Sequence, residues 1–187
     1  MEQFTHRIAK EFDVPVIIDL MRASIAENMK PFLSASEIVA AQETMGIDYT
    51  LIEDGTYFVI ETALQCEKTA QDKVVVVACG GWGKRKTLYG GEHTVGRDDS
   101  LSNPDVDAAR IRAMYTHPDW IRRGIGSLLL ELGENAAREA GFKTIELGST
   151  IPGEPLYLAR GYKELSRKTQ IGANGSENVI IKMEKVL

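Results

Sequence analysis

Residues 111–141 constrain the fold more than any other part of the sequence. Residues 111–116 are typical of a strand, and the tripeptide His117-Pro118-Asp119 predicts a turn. Residues 124–140 predict an amphipathic helix, and Gly141 follows at the preferred C-terminal position. A strand that leads through a short turn into such a helix favours an α/β fold with the helix packed on a sheet. The apolar face of the helix comprises Ile125, Leu128, Leu129, Leu132, Ala136 and Ala140.

The turn before this helix carries residues suited to phosphate. Arg122 and Arg123 precede Gly124 and Gly126 at the helix start. Free backbone N–H groups and the helix dipole favour an anion there, and glycines allow a pyrophosphate close to the backbone. Arginines add charge-assisted hydrogen bonds to phosphate oxygens. The same residues also fit an ordinary tight turn with solvated arginines, and the pattern alone leaves both interpretations open.

Two common nucleotide-binding motifs are incomplete. A dinucleotide-binding GxGxxG motif requires a third glycine where this chain has Leu129. The glycine-rich residues 80–84 also follow an extended segment, but a P-loop requires Gly at Ala78 and Ser or Thr at Arg85. The GxSxG and HExxH motifs are absent as well, which disfavours an α/β-hydrolase or a zinc protease.

The N-terminal quarter predicts two helices after a short extended segment at residues 5–9. Asp13 is suited to cap the first helix, with Pro15 in its first turn. Ser36 offers an N-cap for the second helix, and Gly46 marks its end.

The remaining segments alternate between extended and helical patterns. Residues 57–60 and 74–79 predict an antiparallel hairpin. Residues 84–109 are polar and irregular, and a loop of that length is often functional. Further along, the sequence predicts a strand at 143–147, a short helix at 155–159 and strands at 163–169 and 179–185.

Composition narrows the classes of protein. The chain has 187 residues, of which 43% are hydrophobic and 26% are charged, and its net charge is −5. These values are typical of a folded domain and exclude disorder for most of the chain. The longest apolar runs fall far short of the roughly 18 to 20 residues that a membrane span needs. The acidic balance disfavours nucleic-acid binding by counterion release. We therefore expect neither a membrane nor a nucleic-acid partner.

Cysteine, histidine and the N-terminus support two further expectations. Cys66 and Cys79 have no CxxC spacing, and no histidine forms a metal-ligand pattern with them. We expect two unremarkable thiols and no metal. The N-terminal residues lack the basic and apolar segments of a secretory signal, so we expect a cytoplasmic protein.

Two motifs carry a resemblance to a known family. Residues 111–118, followed by 123–129, resemble the acetyl-CoA-binding motif of the GNAT superfamily of N-acetyltransferases. Residues 155–162 (Pro-Leu-Tyr-Leu-Ala-Arg-Gly-Tyr) are similar to a later motif of that family. The resemblance implies an α/β fold of the α+β type, with a mixed, twisted and mostly antiparallel sheet flanked by helices. It also implies that residues 1–187 form a single domain.

The resemblance also implies site residues, with acetyl-CoA as co-substrate. The backbone around Met114, Tyr115 and Thr116 would pair with the pantetheine arm as an added strand. Tyr157 would protonate the departing thiolate or orient it. The pyrophosphate cradle would comprise Arg122, Arg123, Gly124, Ile125, Gly126 and Ser127.

The sequence departs from the family pattern at two places. Ile121 stands where the family usually has Gln or Arg, so either neighbouring arginine would have to supply that phosphate contact. Ser149 and Thr150 stand where members often place an Asn that touches pantetheine. No general base is singled out: Glu146 on the strand after the main helix and His93 are candidates for proton transfer, and each also fits an exposed charge. The acids of residues 84–109 could instead hold a cationic amine; they are Glu92, Asp98, Asp99, Asp105 and Asp107.

The resemblance predicts an N-acetyltransferase that transfers an acetyl group to a primary amine by direct attack, and it implies a homodimer. The alternative is a non-catalytic module that binds or senses an acyl-CoA, which Ile121 and the missing base support. Fold does not identify the acceptor. Antibiotics, polyamines, amino acids, peptide N-termini and lysines all stay open.

Overall fold

A single mixed sheet organises the fold. The computed structural model describes residues 3–64, 73–94 and 96–187, so Cys66 lies outside the described residues. Within those ranges seven strands form the sheet in the order β1-β2-β3-β4-β5-β7-β6. Among them only β4 and β5 pair in parallel. The strands are β1 (Phe4–Ile8), β2 (Tyr57–Leu64), β3 (Lys73–Gly83), β4 (Ala109–Thr116), β5 (Thr144–Ser149), β6 (Lys163–Ile171) and β7 (Glu177–Val186).

Helices cover both faces of this sheet, which confirms the predicted fold class. The helices are α1 (Val14–Asn28), α2 (Ala35–Thr44), α3 (Tyr49–Glu53), α4 (Ile125–Glu139) and α5 (Glu154–Ala159). The sequence analysis missed α3, because five residues are too few for a helical period to show. No helix in the described part of the chain is long and apolar enough to cross a membrane.

Two hydrophobic cores lie on opposite faces of the sheet. In β2, Phe58 and Ile60 pack in the core beneath α4, whereas Tyr57 and Val59 pack in the core beneath α1 and α2. This alternation is the two-residue period of a strand. Because both faces are buried, the central strands are continuous apolar runs, and the predicted hairpin of β2 and β3 is confirmed.

The start of α2 corrects the sequence prediction. The N-cap is Ser34 and not Ser36, and the helix ends at Thr44 rather than at Gly46. Glu37 favours Ser34 over Ser36 as the N-cap, because it lies three residues after Ser34 and its carboxylate accepts a hydrogen bond from the Ser34 backbone. The Glu37 N–H donates to Ser34 Oγ at 3.4 Å, and the Ser34 N–H donates to Glu37 Oε2 at 2.8 Å.

Asp13 occupies the predicted N-cap position of α1, but its carboxylate does not cap the helix. It accepts two hydrogen bonds from Arg7, at 2.7 and 2.8 Å, and a third from the Lys10 N–H. The carboxylate therefore joins β1 to the segment before α1. Burial opposes its ionisation, but the Arg7 hydrogen bonds are the larger effect and hold the pKa of Asp13 below its usual value.

The glycine-rich residues 80–83 belong to β3 rather than to a phosphate-binding loop. A Cβ atom at Gly81 would overlap the carbonyl oxygen of Thr56, so close strand packing requires glycine there. In the stretch that the sequence shows as polar and irregular, described residues 84–94 and 96–108 contain no helix or strand. A bridge between Arg85 and Leu101 joins its two ends.

We expect Ser34→Ala to lower the free energy of unfolding by about 1 kcal/mol, because the α2 N–H groups lose their side-chain acceptor. For a chain of this size that is a fall in Tm of about 2 to 4 °C. Thermal unfolding followed by circular dichroism measures it. The matched control is Ser36→Ala, which should change stability by less than about 0.5 kcal/mol. Equal losses from the two variants would contradict the assignment of the cap.

Candidate functional site

An opening in the middle of the sheet is the most unusual feature of the fold. Strands β4 and β5 pair only at Ala109 with Ile145 and at Arg110 with Glu146. Beyond these pairs the two strands run on to Thr116 and Ser149 without pairing with each other. The facing edges therefore present backbone N–H and C=O groups that the sheet itself does not use. An extended ligand can pair with such an edge as an added strand.

A β-bulge shapes the opening from the β4 side. Tyr115 lies opposite Cys79 and Arg112 lies opposite Gly81, so Ala113 and Met114 share one position of β3. Ala113 has φ +49°, a conformation that is uncommon for a residue with a side chain. The bulge is thus a strained feature that its surroundings must hold.

Tyr57 holds this bulge from the α1 side of the sheet. Its hydroxyl donates to the Ala113 carbonyl at 2.8 Å and lies 3.2 Å from Cys79 Sγ. Burial raises the pKa of the Cys79 thiol to about 12, so the thiol is protonated at neutral pH. The Tyr57 ring belongs to the core beneath α1, which makes the bulge part of the packed structure rather than of a loop.

The start of α4 forms an exposed turn of backbone amides. Gly124 is the N-cap and has φ +82°, and Arg122 has φ +62°. The space beside the Gly124 Cα atom is open, and Ile125 is buried in the core beneath the turn. Arg123 donates to the Asp119 carbonyl at 3.0 Å, and its guanidinium lies 4.5 Å from the Trp120 ring centroid. This turn offers N–H groups and two cations to an anion.

Helix α5 lies across the first turn of α4. A Cβ atom at Gly126 would lie 2.9 Å from Leu156 Cδ2, so a larger residue there would make the Leu156 side chain shift. Arg160 Nε donates to Ser127 Oγ at 3.0 Å and fixes the other end of α5. Tyr157 follows Leu156, so the contact of Leu156 with the first turn of α4 helps to set the position of Tyr157.

A cavity of about 100 Å³ lies at the opening and joins the bulge of β4 to Tyr157 of α5, and none of residues 122–127 is among its lining residues. It is lined by residues from distant parts of the chain, namely 44–46, 88–90, 111–115, 147–148, Thr150, Tyr157 and Ile180. The cavity brings together Met114, Tyr115 and Tyr157 from the predicted site. Thr116 is not among its lining residues, and its carbonyl accepts a hydrogen bond from Asn28 of α1 at 2.8 Å.

Tyr157 is one of three tyrosines that line this cavity within the described ranges. Its ring packs edge to face on Tyr162, with the ring centroids 5.8 Å apart. Burial raises the pKa of Tyr157 to about 12 and also raises the pKa of its neighbour Tyr115. Tyr157 therefore keeps its proton at neutral pH and acts as a hydrogen-bond donor.

A buried ionic network, which the sequence analysis missed, joins Arg112, which lines the cavity, to Asp48, which does not. The side chains of Asp48 and Arg112 are 1% and 3% exposed, and Arg112 Nη2 donates to Asp48 Oδ2 at 2.6 Å. Arg112 also donates to the carbonyls of Thr87 and Gly90, and Arg97 donates to Asp48 Oδ1 at 3.1 Å. These bonds tie the α2–α3 connection and residues 87–97 to β4 next to the bulge.

The network has a visible signal in the sequence. Arg112 interrupts the apolar strand pattern, and a charged residue at a buried strand position requires a partner. Burial opposes ionisation of Asp48, but Arg112 and Arg97 outweigh it and hold the pKa of that carboxyl below its usual value.

The candidate bases do not line the cavity. Glu146 pairs with Arg110 at 3.2 Å and with Lys182 at 2.9 Å. His93 Nε2 lies 2.8 Å from the Glu43 carbonyl. The cavity lining within the described residues includes none of the loop acids Glu92, Asp98, Asp99, Asp105 and Asp107.

Of the two pantetheine candidates, Thr150 lines the cavity, whereas Ser149 is buried and donates to the Thr150 carbonyl. In the part of the chain that the structure describes, no three His, Cys, Asp or Glu residues are grouped to hold a metal.

We expect Asp48→Asn to lower the free energy of unfolding by about 3 to 5 kcal/mol at pH 7, because Arg112 loses its buried counter-charge. Chemical denaturation measures it, with exposed Asp105→Asn as the control, which should change stability by less than about 0.5 kcal/mol.

The folded pKa of Asp48 is depressed, so its contribution to the free energy of unfolding is present above the unfolded pKa of about 3.9 and is lost as the pH falls toward the folded value. The gap between wild type and Asp48→Asn should therefore narrow in acid, and a constant gap would contradict this account.

Comparison with known proteins identifies the family. A sequence model of the Acetyltransferase (GNAT) domain matches residues 53–164. No curated protein sequence matches the chain at a significant level.

Three solved structures have the same fold over nearly the whole chain. A GCN5-related N-acetyltransferase from Rhodopseudomonas palustris has a TM-score of 0.67 at 20% identity, covering 100% of this chain and 98% of its own. PaiA N-acetyltransferase from Thermoplasma acidophilum, solved in complex with coenzyme A, has a TM-score of 0.59 at 13% identity, and the match covers 99% of each chain. YncA from Salmonella typhimurium, solved with its cofactor acetyl-CoA, has a TM-score of 0.59 at 16% identity, and the match covers 99% of this chain and 94% of the YncA chain. Since the domain match spans more than half of the chain, the protein is an acyltransferase that belongs to the GNAT family.

Proposed function

We propose that the protein transfers the acetyl group of acetyl-CoA to a primary amine by direct attack, with both substrates bound at once. The observation that carries the proposal is the cavity that joins the bulged edge of β4, at the opening beside β5, to Tyr157. The amide turn at the start of α4 supports it, because Leu156, next to Tyr157, packs against Gly126 of that turn. The structural relatives solved with coenzyme A and acetyl-CoA support the same coenzyme here.

The unpaired edge of β4 suits the pantetheine arm. In this proposal the backbone at Met114, Tyr115 and Thr116 supplies the partners for its amides, as a neighbouring strand would. The bulge supports this role, because it places Met114 and Tyr115 at the cavity while Tyr57 keeps the strand rigid. Bound acetyl-CoA supplies the acyl group as a thioester, an activated form.

The turn before α4 suits the pyrophosphate. The N–H groups of residues 124–127 and the guanidinium groups of Arg122 and Arg123 are the proposed ligands, with Gly124 leaving room for close approach. Ile121 removes one family contact, and Arg160 brings a further cation to this turn from α5 through its bond to Ser127. We include Arg160 among the proposed phosphate ligands for that reason.

Tyr157 is proposed to stabilise the departing sulfur. The amine nitrogen bonds to the carbonyl carbon, the carbon–sulfur bond breaks, and one proton passes in net from nitrogen to sulfur. With a pKa near 12, Tyr157 is a weaker acid than a thiol of ordinary pKa near 8.5, so donating a hydrogen bond suits it better than giving up its proton. Its raised pKa keeps the donor present throughout the neutral pH range.

We expect Tyr157→Phe to lower kcat by at least about tenfold while the KM for acetyl-CoA changes little, because the phosphate and pantetheine contacts are untouched. Steady-state release of the coenzyme A thiol in the presence of a primary amine measures both quantities.

The matched control is Tyr49→Phe on α3, whose ring is 37% exposed. It should retain wild-type kinetics. An unchanged kcat in Tyr157→Phe would remove the proposed role of the hydroxyl. Tight binding of acetyl-CoA by the wild type with no thiol release for any amine would instead favour the non-catalytic module.

A further inference from the structure

We infer that the acceptor is a small primary amine with an uncharged, apolar body, and neither a polyamine nor an amino acid. This inference rests on the proposed function and concerns the acceptor side of the same cavity. It follows from the chemistry of the cavity wall, where aliphatic and aromatic side chains together outnumber the others, no carboxylate lines the cavity among the described residues, and the cation Arg112 is already paired with Asp48.

Apolar side chains form most of the wall. Met45 comes from the end of α2, Leu88 from the long loop, Leu147 from β5 and Ile180 from β7. Tyr89 adds an aromatic ring, and its hydroxyl already accepts a hydrogen bond from Gln170 at 2.8 Å. Such a wall gains free energy by covering apolar surface of a ligand.

No carboxylate lines the cavity among the residues that the structure describes. The buried carboxylate of Asp48 lies next to the cavity-lining Arg112, but both of its oxygens already accept hydrogen bonds. Oδ2 accepts from Arg112, and Oδ1 accepts from Arg97 and from the N–H and hydroxyl of Thr50. A second ammonium group of a polyamine would therefore lose water without gaining a counter-charge, which is costly.

An acceptor carboxylate meets the same difficulty. Arg112 is the one cation among the described lining residues, and its side chain is only 3% exposed. Its Nη1 donates to the Thr87 carbonyl at 2.9 Å, and its Nη2 donates to Asp48 and to the Gly90 carbonyl. Binding an amino acid through its carboxylate would set that carboxylate against a guanidinium whose charge Asp48 already balances, and it would compete with these buried bonds.

The apolar wall also suits the nitrogen that reacts. A site without a counter-charge favours the neutral form of an amine over the ammonium form, because burial penalises charge. The neutral amine is the nucleophile. The cavity therefore does not need a dedicated carboxylate base to favour the reactive form, in keeping with the pairing of Glu146 to Arg110 and Lys182.

Three acceptors with the same five-carbon chain test the inference: pentylamine, 1,5-diaminopentane and 5-aminopentanoate, with alanylalaninamide as a peptide probe. Thiol release from acetyl-CoA gives kcat/KM for each. We expect pentylamine to exceed the other three by at least about tenfold, the scale on which a site rejects a poorly matched substrate group.

A matched pair of variants tests the physical reason. Leu88→Glu places a carboxylate in the wall, and Leu88→Gln places a group of the same size without charge. We expect Leu88→Glu to raise the preference for 1,5-diaminopentane over pentylamine by about tenfold relative to Leu88→Gln, because the second ammonium gains a partner. Leu88 belongs to neither hydrophobic core within the described residues, which makes it a suitable position.

The outcomes separate the two proposals. Preference for the diamine, the amino acid or the peptide in the wild type would overturn the acceptor class and leave the acetyltransferase intact. Absence of thiol release with every amine tested, while acetyl-CoA still binds, would overturn the proposed function and the acceptor class with it. Should either Leu88 variant fail to fold, the wild-type panel alone decides.

Discussion

The divergence of β4 from β5 beyond Arg110 and Glu146 is the constraint on which the rest of the structure depends. Two parallel strands that separate within a sheet leave backbone groups without partners, and such groups are costly unless something pairs with them. The bulge at Ala113 and the Tyr57 hydrogen bond hold β4 in this shape from the opposite face. The opening is thereby built into the packed sheet and leaves an unpaired strand edge facing it.

Two further contacts place the chemistry beside that opening. Leu156 of α5 packs against Gly126 in the first turn of α4. The turn with the exposed amides is therefore in contact with the helix that contains Tyr157. On the other side of the cavity, Arg112 holds the carbonyls of Thr87 and Gly90 and pairs with Asp48, so the two charges balance each other. The cavity between them is left mostly apolar, with a protonated hydroxyl as its donor.

Local patterns in the sequence predicted much of this fold, and distant contacts account for the rest. The helix start at Gly124 and the hairpin of β2 and β3 were predictable, because each depends on residues a few positions apart. The cap of α2 was predicted wrongly, since the spacing to Glu37 decides between two nearby serines. The pair of Asp48 and Arg112 joins residues 64 positions apart, so only the interruption of a strand by an arginine hints at it.

Thermal unfolding with and without acetyl-CoA tests the central claim most directly, because a ligand that binds only the folded state raises its stability. At about a hundredfold excess over Kd, linkage gives about 2.7 kcal/mol, a rise in Tm of about 5 to 10 °C for a chain of this size. ADP and NAD at the same concentration are the controls. The account predicts this rise with acetyl-CoA and a much smaller one with either control. No rise, or equal rises with all three, would contradict the assignment of the opening and the α4 turn to coenzyme A.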